Sequence, residues 1–256
     1  RTNPNLFSLI NKNKKNISKI DINNFYKINL KVKQIKPDFI FHFAAQSQVI
    51  ESLKDPLYTF NTNIIGTANL LESLKNIRNK CICIIITSDK CYLNENKNKY
   101  FKETDRLGGN DPYSASKAGA ELVIKSYFNS FFKNNKYIRI GVARAGNVIG
   151  GGDWTSNRII PDAIRSWSNN KELTIRNPYS IRPWQHVLEP LRGYILLAEN
   201  LCSNKGESYA DAWNFAPNYE SQKTVREVVE EVSTNWGEEC KWEIESGGPK
   251  ETNLLL

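Results

Sequence analysis

The chain has 256 residues, 40% hydrophobic and 24% charged, so it is long enough and apolar enough to bury a full core. No apolar run approaches the ~20 residues of a membrane span, and the N-terminus lacks the apolar segment of a signal peptide. The net charge of +8 lies largely in Lys/Asn-rich stretches without interleaved aromatic residues, which disfavours a nucleic-acid partner and suits a small anionic ligand. We therefore expect a globular cytoplasmic protein without a membrane partner.

The cysteines predict neither a metal site nor a disulfide framework. There are five of them, an odd number, and none has the spacing of zinc ligands. Cys81 and Cys83 share one face of a predicted strand, where a buried small hydrophobic residue is the usual occupant. We expect reduced thiols and no bound metal.

The first half of the chain alternates predicted helices with apolar strands. The predicted elements are helix 22–36, strand 39–43, helix 57–75, strand 81–87, helix 112–132 and strand 137–143. Pro37 ends the first helix, whereas Pro112 suits the first turn of the helix that it opens. Nearly apolar strands alternating with helices are typical of a doubly wound parallel sheet covered on both faces, an α/β fold.

Beyond Gly150 the pattern changes. The predicted elements there are helix 159–169, strand 172–176, helix 187–201, strand 213–216 and helix 224–236, the last with Thr224 as its N-cap. We expect a first domain over 1–150 and a smaller domain over 151–256, with 186–216 packing back onto the first.

Tyr113 and Lys117 lie four residues apart in a predicted helix, so they share one face. A tyrosine with a pKa of ~10 is a poor base at neutral pH. A fixed ammonium favours the phenolate, and we expect Lys117 to lower the pKa of Tyr113. Taken alone, the pair favours the alternative of an exposed tyrosine beside a solvated lysine.

Three groups at strand ends reverse that preference. Ala44–Gln46, Ser88–Lys90 and Ala145–Asn147 each follow a predicted strand. Ligands of a doubly wound sheet bind outside the carboxyl ends of its strands. We therefore predict that small residues, a hydroxyl, a carboxyl and an ammonium group meet Tyr113 and Lys117 in one site.

These segments carry a resemblance that covers nearly the whole chain. His42–Ser47, Asn63–Thr67, Thr87–Tyr92, Gly108–Lys117 and Arg144–Trp154 are similar to the extended short-chain dehydrogenases/reductases, the NAD-dependent epimerases and dehydratases. Ser88–Tyr92, Arg144–Trp154 and Ile181–Pro190 look like signatures of the sugar-nucleotide 4,6-dehydratases that act on CDP-glucose. In the related dTDP-glucose branch, a glutamate stands where Lys90 does.

The resemblance implies a Rossmann-type domain, tightly bound NAD and conversion of CDP-glucose to CDP-4-keto-6-deoxyglucose, as in deoxysugar biosynthesis for lipopolysaccharide O-antigen. Tyr113 would take the proton of the 4-hydroxyl, Lys117 would hold the nicotinamide ribose, and Ser88 would hydrogen-bond the 4-oxygen. Asp89 would be the general acid for loss of the 6-hydroxyl, and Lys90 the base at C5.

The resemblance also implies binding residues and a homodimer formed through the helices at 57–75 and 113–131. The implied cofactor contacts, besides Tyr113 and Lys117, are Asp21, Ile22, Phe43, Ala44, Ala45, Gln46, Ser47, Thr62 and Val148. The implied substrate contacts, besides Ser88, are Asn147, Arg158, Thr174, Arg176, Arg182 and Asn214, with Arg182 on the diphosphate.

The chain departs from the family pattern because no glycine precedes Gly66, so the first strand and its glycine-rich phosphate-binding turn are missing. We expect a fragment truncated at both ends, without the helix N-terminus that stabilises the NAD phosphates in the family. The alternatives are another sugar-nucleotide dehydratase or epimerase, or a non-catalytic sugar-nucleotide-binding fragment. Asp21 could instead be a helix N-cap and His42 a packed strand residue, while Trp154 and Trp184 suit either a core or a lid.

Overall fold

The computed structural model describes residues 17–95, 100–237 and 240–245. The helices are α1 (Phe25–Ile35), α2 (Val49–Lys54), α3 (Pro56–Phe60), α4 (Gly66–Leu74), α5 (Pro112–Tyr127), α6 (Ile159–Trp167), α7 (Leu188–Cys202) and α8 (Val225–Trp236). The strands are β1 (Phe39–His42), β2 (Cys81–Ile86), β3 (Ile138–Ala145), β4 (Val148–Ile149), β5 (Leu173–Ile175), β6 (Ile181–Pro183), β7 (Gln185–His186), β8 (Ala212–Phe215), β9 (Gln222–Thr224) and β10 (Trp242–Ile244).

A parallel sheet with the order β1–β2–β3–β8 forms the centre of the molecule. The residues of β2 from Cys81 to Ile85 are all buried, since helices cover both faces of that strand. Cys81 and Cys83 are fully buried, as the alternation along the strand predicts. The parallel sheet expected from the sequence is confirmed.

Helices cover both faces of this sheet. On one face α4 and α5 pack through buried side chains such as Leu71, Leu74 and Ile124. On the other face, Leu197 and Leu201 of α7 pack against Ile84. The sheet is therefore doubly wound, and the predicted α/β Rossmann-type class is confirmed.

The helix predicted over 57–75 is built from two α-helices joined by a π-helical turn, Asn61–Ile65. That turn aims the buried amide of Asn63 at the loop after β1: its Nδ2 donates to the Gln46 carbonyl at 3.0 Å and to Ser116 Oγ at 2.8 Å. Its Oδ1 accepts from the Gln46 N–H at 2.8 Å. Asn63 thereby links the loop after β1 to Ser116 of α5.

A smaller cluster of elements follows the sheet. Strands β5 and β10 pair in parallel, and α6 and α8 pack on them around Trp167, Leu173 and Val229. Thr224 is the N-cap of α8, as predicted, and forms a capping box with Glu227. Strand β8 returns to the central sheet beside β3, and α7 lies on the sheet with it.

Candidate active site

A cavity of about 1170 Å³ opens at the carboxyl ends of the central strands. Residues from all three predicted strand-end groups line it, among them Ala45, the Ser88–Lys90 triplet and the Ala145–Asn147 segment. Tyr113 and Lys117 of α5 line the same wall. The structure therefore brings the predicted catalytic residues together.

The first turn of α5 is fixed at its N-terminus, which places Tyr113. Asp111 is the N-cap and accepts from the Ser114 N–H at 3.0 Å, and Pro112 takes the first helical position. The N–H of Tyr113 donates to Ser52 Oγ at 3.1 Å. One turn later, Lys117 Nζ lies 5.9 Å from the centre of the Tyr113 ring, and both side chains are buried.

The electrostatics of this pair differ from the expectation. Burial raises the pKa of Tyr113 to about 12; the hydrogen bond with Ser88 and the charge of Arg158 oppose this, while Asp89 and Asp111 add to it. Burial also lowers the pKa of Lys117 to about 8. The pKa of Tyr113 is therefore raised in this structure and not lowered as predicted, because the loss of solvent around the phenol outweighs the hydrogen bond with Ser88 and the charge of Arg158.

Ser88 joins this pair to the Asp89–Lys90 half of the site. Its hydroxyl donates to Asp89 Oδ1 at 2.9 Å, accepts from the Lys90 N–H at 3.2 Å and lies within hydrogen-bonding reach of the Tyr113 phenol. Asp89 and Lys90 begin a short 3₁₀ turn of which Ser88 is the N-cap. One hydroxyl thus contacts both proton-transfer groups.

The Asp89 carboxyl is shielded from solvent, and burial raises its pKa, although Lys90, Ser88 and Arg182 pull it down. Its Oδ2 atom has no hydrogen-bond partner among the described residues. The neighbouring Gly146 leaves that oxygen room, since a Cβ there would lie 2.8 Å from it. A carboxyl whose pKa is raised by burial is suited to donate a proton into the cavity.

Arginines supply positive charge to the cavity wall. Arg158, Arg176 and Arg182 all line it, together with Asn147 and Thr174. Arg182 is buried and close enough to Asp89 to affect its pKa. Arg158 Nη1 lies 3.4 Å from Asp153 Oδ2. Several guanidinium groups in one cavity suit an anionic ligand such as a diphosphate.

Four of the residues predicted to bind the cofactor line the same cavity as Tyr113 and Lys117, namely Phe43, Ala45, Ser47 and Val148. Trp154 and Trp184 also line the cavity. Six predicted contacts lie outside its lining: Asp21, Ile22, Ala44, Gln46, Thr62 and Asn214.

Several residues outside the lining have other partners. Asp21 Oδ1 accepts from the Asn23 N–H, and the N-cap of α1 is Asn24, so the alternative role of Asp21 as N-cap is wrong. Ile22 packs against Gly66. The Gln46 amide donates to the Gln48 carbonyl and to Thr59 Oγ1. His42 is buried in β1 with its Nε2 3.2 Å from Thr67 Oγ1.

Sequence reasoning missed a buried polar network behind the site, centred on Glu121 and Arg144. Asn214, predicted to contact substrate, belongs to it: its Oδ1 accepts from the Tyr92 hydroxyl at 2.6 Å. Two signals could have revealed it. Arg144 is a charged residue inside an apolar strand, and Glu121 follows Lys117 by one helical turn.

The wall that contains Tyr113 and Lys117 fits the nicotinamide-ribose end of NAD. The Lys117 ammonium is buried and has no hydrogen-bond or ion-pair partner in the described part of the chain. A ligand hydroxyl would satisfy such a group. Phe43 and Val148 would supply apolar contact beside them.

Within residues 17–95, 100–237 and 240–245, no group of three or more histidine, cysteine, aspartate or glutamate side chains could hold a metal ion. None of the helices in those ranges has the length and apolarity to cross a membrane.

A doubly wound sheet with Tyr-x-x-x-Lys and a Ser-Asp-Lys triplet at its carboxyl edge defines a Rossmann-type protein of the dehydrogenase/reductase class. The family model described as "GDP-mannose 4,6 dehydratase" matches residues 4–253. The chain belongs to this family of sugar-nucleotide dehydratases and epimerases, as its motifs predicted.

Among curated proteins, the chain is 45% identical to CDP-glucose 4,6-dehydratase of Salmonella typhimurium over 99% of this chain and 72% of that enzyme. It is 33% identical to dTDP-D-glucose 4,6-dehydratase of Dictyostelium discoideum over 59% of this chain and 37% of the relative.

Solved structures agree on the fold. UDP-N-acetylglucosamine 4-epimerase of Methanobrevibacter ruminantium superposes with a TM-score of 0.81 at 26% identity, over 96% of this chain and 76% of that one. DesIV, a dTDP-glucose 4,6-dehydratase of Streptomyces venezuelae solved with NAD, gives 0.75 at 20% identity, over 92% and 68%.

Proposed function

We propose that this protein is an NAD-dependent sugar-nucleotide 4,6-dehydratase that converts CDP-glucose to CDP-4-keto-6-deoxyglucose. The observation that carries the proposal is that one cavity holds both Tyr113 with Lys117 and Asp89 with Lys90. The first pair suits oxidation at C4, and the second suits removal of water. Similarity to the Salmonella enzyme supports CDP-glucose as the substrate.

When bound, NAD supplies the hydride acceptor for C4 and the hydride donor for C6. Tyr113 accepts the proton of the sugar 4-hydroxyl. Its hydrogen bond with Ser88 and the charge of Arg158 both favour the phenolate that this step requires, against the effect of burial. Lys117 adds a fixed cation beside the ring.

Loss of water uses the other pair. A ketone at C4 acidifies the C5 hydrogen, which Lys90 removes as the base. We assign to Asp89 the role of the general acid that donates a proton to the departing 6-hydroxyl, because burial raises the pKa of its carboxyl. Ser88 contacts both Asp89 and the Tyr113 phenol, so it holds the 4-oxygen between the two proton-transfer steps.

We assign binding of the sugar diphosphate to the arginine residues that line the cavity. Arg182 is buried and its charge acts on Asp89, which supports a role for this side chain in binding the sugar diphosphate near the reacting carbons. Arg158 and Arg176 add positive charge to the same lining. Planar guanidinium groups bind phosphate oxygens in pairs.

The test compares glucose carried on CDP, dTDP, UDP and GDP, each mixed with the protein and NAD. We expect the 4-keto-6-deoxy sugar, detected by mass as loss of one water, to form fastest from CDP-glucose. Faster turnover of dTDP-glucose would overturn the substrate assignment. A C4 epimer without loss of water would indicate an epimerase, and binding without any conversion a non-catalytic protein.

Lys90→Ala separates the two halves of the reaction. It should leave C4 oxidation intact and block water loss, so that a 4-keto sugar with its 6-hydroxyl accumulates. Lys75→Ala, on the outer surface of the helical layer, is the matched control. Normal product formation by Lys90→Ala would remove Lys90 from the role of base.

We also propose that the protein is a cytoplasmic homodimer. Its five cysteines are free, which suits a reducing compartment. The α3–α4 segment and α5 expose large apolar side chains that a second copy would cover: Leu57, Tyr58, Ile65 and Leu122. Leu122→Asp should yield a monomer in light scattering. An unchanged mass in that variant, or a monomeric parent protein, would overturn the proposed interface.

A further inference from the structure

A buried ion pair lies directly behind the site, between α5 and β3. Arg144 Nε and Nη2 donate to the two carboxylate oxygens of Glu121 at 2.8 and 2.9 Å. The side chains are only 5% and 4% exposed. Burying two charges costs free energy that their attraction often does not recover, so stability alone is a weak explanation for the pair.

The two charges hold opposite ends of one turn. Thr87 Oγ1 donates to Glu121 Oε1 at 2.6 Å, and Arg144 Nη1 donates to the Tyr92 hydroxyl oxygen at 2.8 Å. Thr87 immediately precedes Ser88, and Tyr92 immediately follows Cys91. The Ser88–Cys91 turn is therefore hydrogen-bonded at both ends to a single ion pair.

The same pair is anchored to the helix that carries the other half of the site. Glu121 lies one helical turn beyond Lys117 on α5, and both are buried. Burial lowers the pKa of Lys117, and the charges of Cys91 and Glu121 partly offset that effect. Glu121 thus links the position of α5 to the position of the turn.

Further contacts fix Tyr92 from its outer side. Its hydroxyl donates to Asn214 Oδ1 on β8 at 2.6 Å, and its ring stacks on Phe101 with centres 4.7 Å apart. Arg144 Nη1 also donates to the backbone carbonyl of Glu103 at 3.0 Å. The phenol of Tyr92 therefore has one hydrogen-bond donor and one acceptor, both from strands of the central sheet.

We propose that Glu121 and Arg144 are positioning residues, whose ion pair fixes the turn carrying Ser88, Asp89 and Lys90 against the helix carrying Tyr113 and Lys117. This rests on the proposed function, because it assigns to the pair the alignment of the groups that act at C4 with those that remove water. Apolar side chains of equal volume would fill the space but would leave the ends of the turn unheld.

The test uses Arg144→Lys and Tyr92→Phe in the full chain. Arg144→Lys keeps the charge but loses the planar two-pronged contact. Tyr92→Phe keeps the ring stacking and removes only the hydroxyl. The matched control is Arg139→Lys on the same strand, because Arg139 donates to the carbonyls of Leu201 and Ser203, away from the cavity. Each variant is measured by hydrogen exchange of segment 87–92 and by turnover of CDP-glucose.

We expect both test variants to exchange faster over 87–92 than the parent protein, and Arg139→Lys to match it there. The kcat should fall by about 10- to 100-fold in the test variants, since small misplacements of reacting groups cost that much. The KM should stay within about twofold, because the ground-state contacts are unchanged. Tyr92→Phe decides the question if Arg144→Lys does not fold.

Exchange equal to the parent in both test variants would overturn the proposal, and so would faster exchange with unchanged kcat. Slower turnover in Arg139→Lys to the same degree would overturn it as well, because the effect would then be general destabilisation. A parent protein that converts none of the sugar nucleotides would overturn the proposed function instead. In that case the hydrogen exchange alone decides whether the pair holds the turn.

Discussion

The inner strands of the central sheet and its β1 edge differ in how deeply their side chains are buried. Along β2 and β3 most apolar side chains are buried, and the charged groups Glu121 and Arg144 are paired. At the other side, β1 is an edge strand among the described residues, and its Phe39 and Phe41 are exposed. Helix α1 has no buried residue. The groups proposed for substrate chemistry thus stand on the better-packed side.

This difference in burial corresponds to two functions of the proposed site, proton transfer and cofactor binding. Proton transfer needs side chains fixed within a fraction of an ångström, and a dense polar network surrounded by packed strands supplies that. Residues proposed to contact the cofactor, such as Phe43 and Ser47, follow the less buried strand. We expect the segment around β1 to open locally more often than β2 and β3, because segments with little burial have a lower local stability.

The largest contrast should appear in activity. Tyr113→Phe removes the proton acceptor of the proposed C4 step, and we expect turnover of CDP-glucose to fall by about 10²- to 10⁴-fold. Phe41→Leu on β1, a similarly conservative change of an exposed aromatic, should leave the rate near that of the parent. Comparable losses in the two variants would mean that the two sides are not distinct in function.

The next contrast concerns packing. Leu71→Ala on α4 empties a fully buried position and should lower the free energy of unfolding by about 2–5 kcal/mol. Leu30→Ala on α1, where the side chain is 68% exposed, should change it by less than about 0.5 kcal/mol. Urea unfolding of both variants checks this. A large loss in Leu30→Ala would show that α1 is packed in solution.

His42 is the one buried residue of β1, and its imidazole shares a hydrogen bond with Thr67 of α4. Burial and the charge of Lys117 lower its pKa from 6.5 to about 4, so between pH 6.5 and about 4 the unfolded state binds the proton more readily than the folded state. Stability should therefore fall as the pH drops from 6.5 to 4, by about 3 kcal/mol. His42→Gln should abolish this part of the acid dependence in urea titrations. An unchanged pH slope would contradict the lowered pKa.

The smallest contrast lies at two helix N-caps. Asp111 accepts from both the N–H and the hydroxyl of Ser114, whereas Asn24 on α1 accepts from the Lys27 N–H only. Asp111→Ala should cost about 1–2 kcal/mol and Asn24→Ala about 0.5–1 kcal/mol. Thermal unfolding measures both. The reverse order would indicate that the cap of α1 contributes more than its single hydrogen bond suggests.

Much of the fold and of the site was predictable because the relevant signals are local. Apolar runs and breakers set the order of strands and helices, and Pro112 and Thr224 marked helix starts that the structure confirms. The strand-end groups predicted the cavity, since parallel strands share one carboxyl edge. The roles of Gln46 and Asn214 could not be predicted, because their partners lie on other segments.

By itself the sequence determined the class of fold, the family and the grouping of Ser88, Asp89, Tyr113 and Lys117. These follow from spacing along the chain and from motifs. Only the tertiary structure decided in which direction the pKa values of Asp89, Tyr113 and Lys117 shift, and which residues support the site. Burial raises the pKa of Tyr113 although Lys117 lies beside its ring, because desolvation depends on everything packed around the phenol. The Glu121–Arg144 pair joins residues far apart in the chain, so contacts in space alone reveal it.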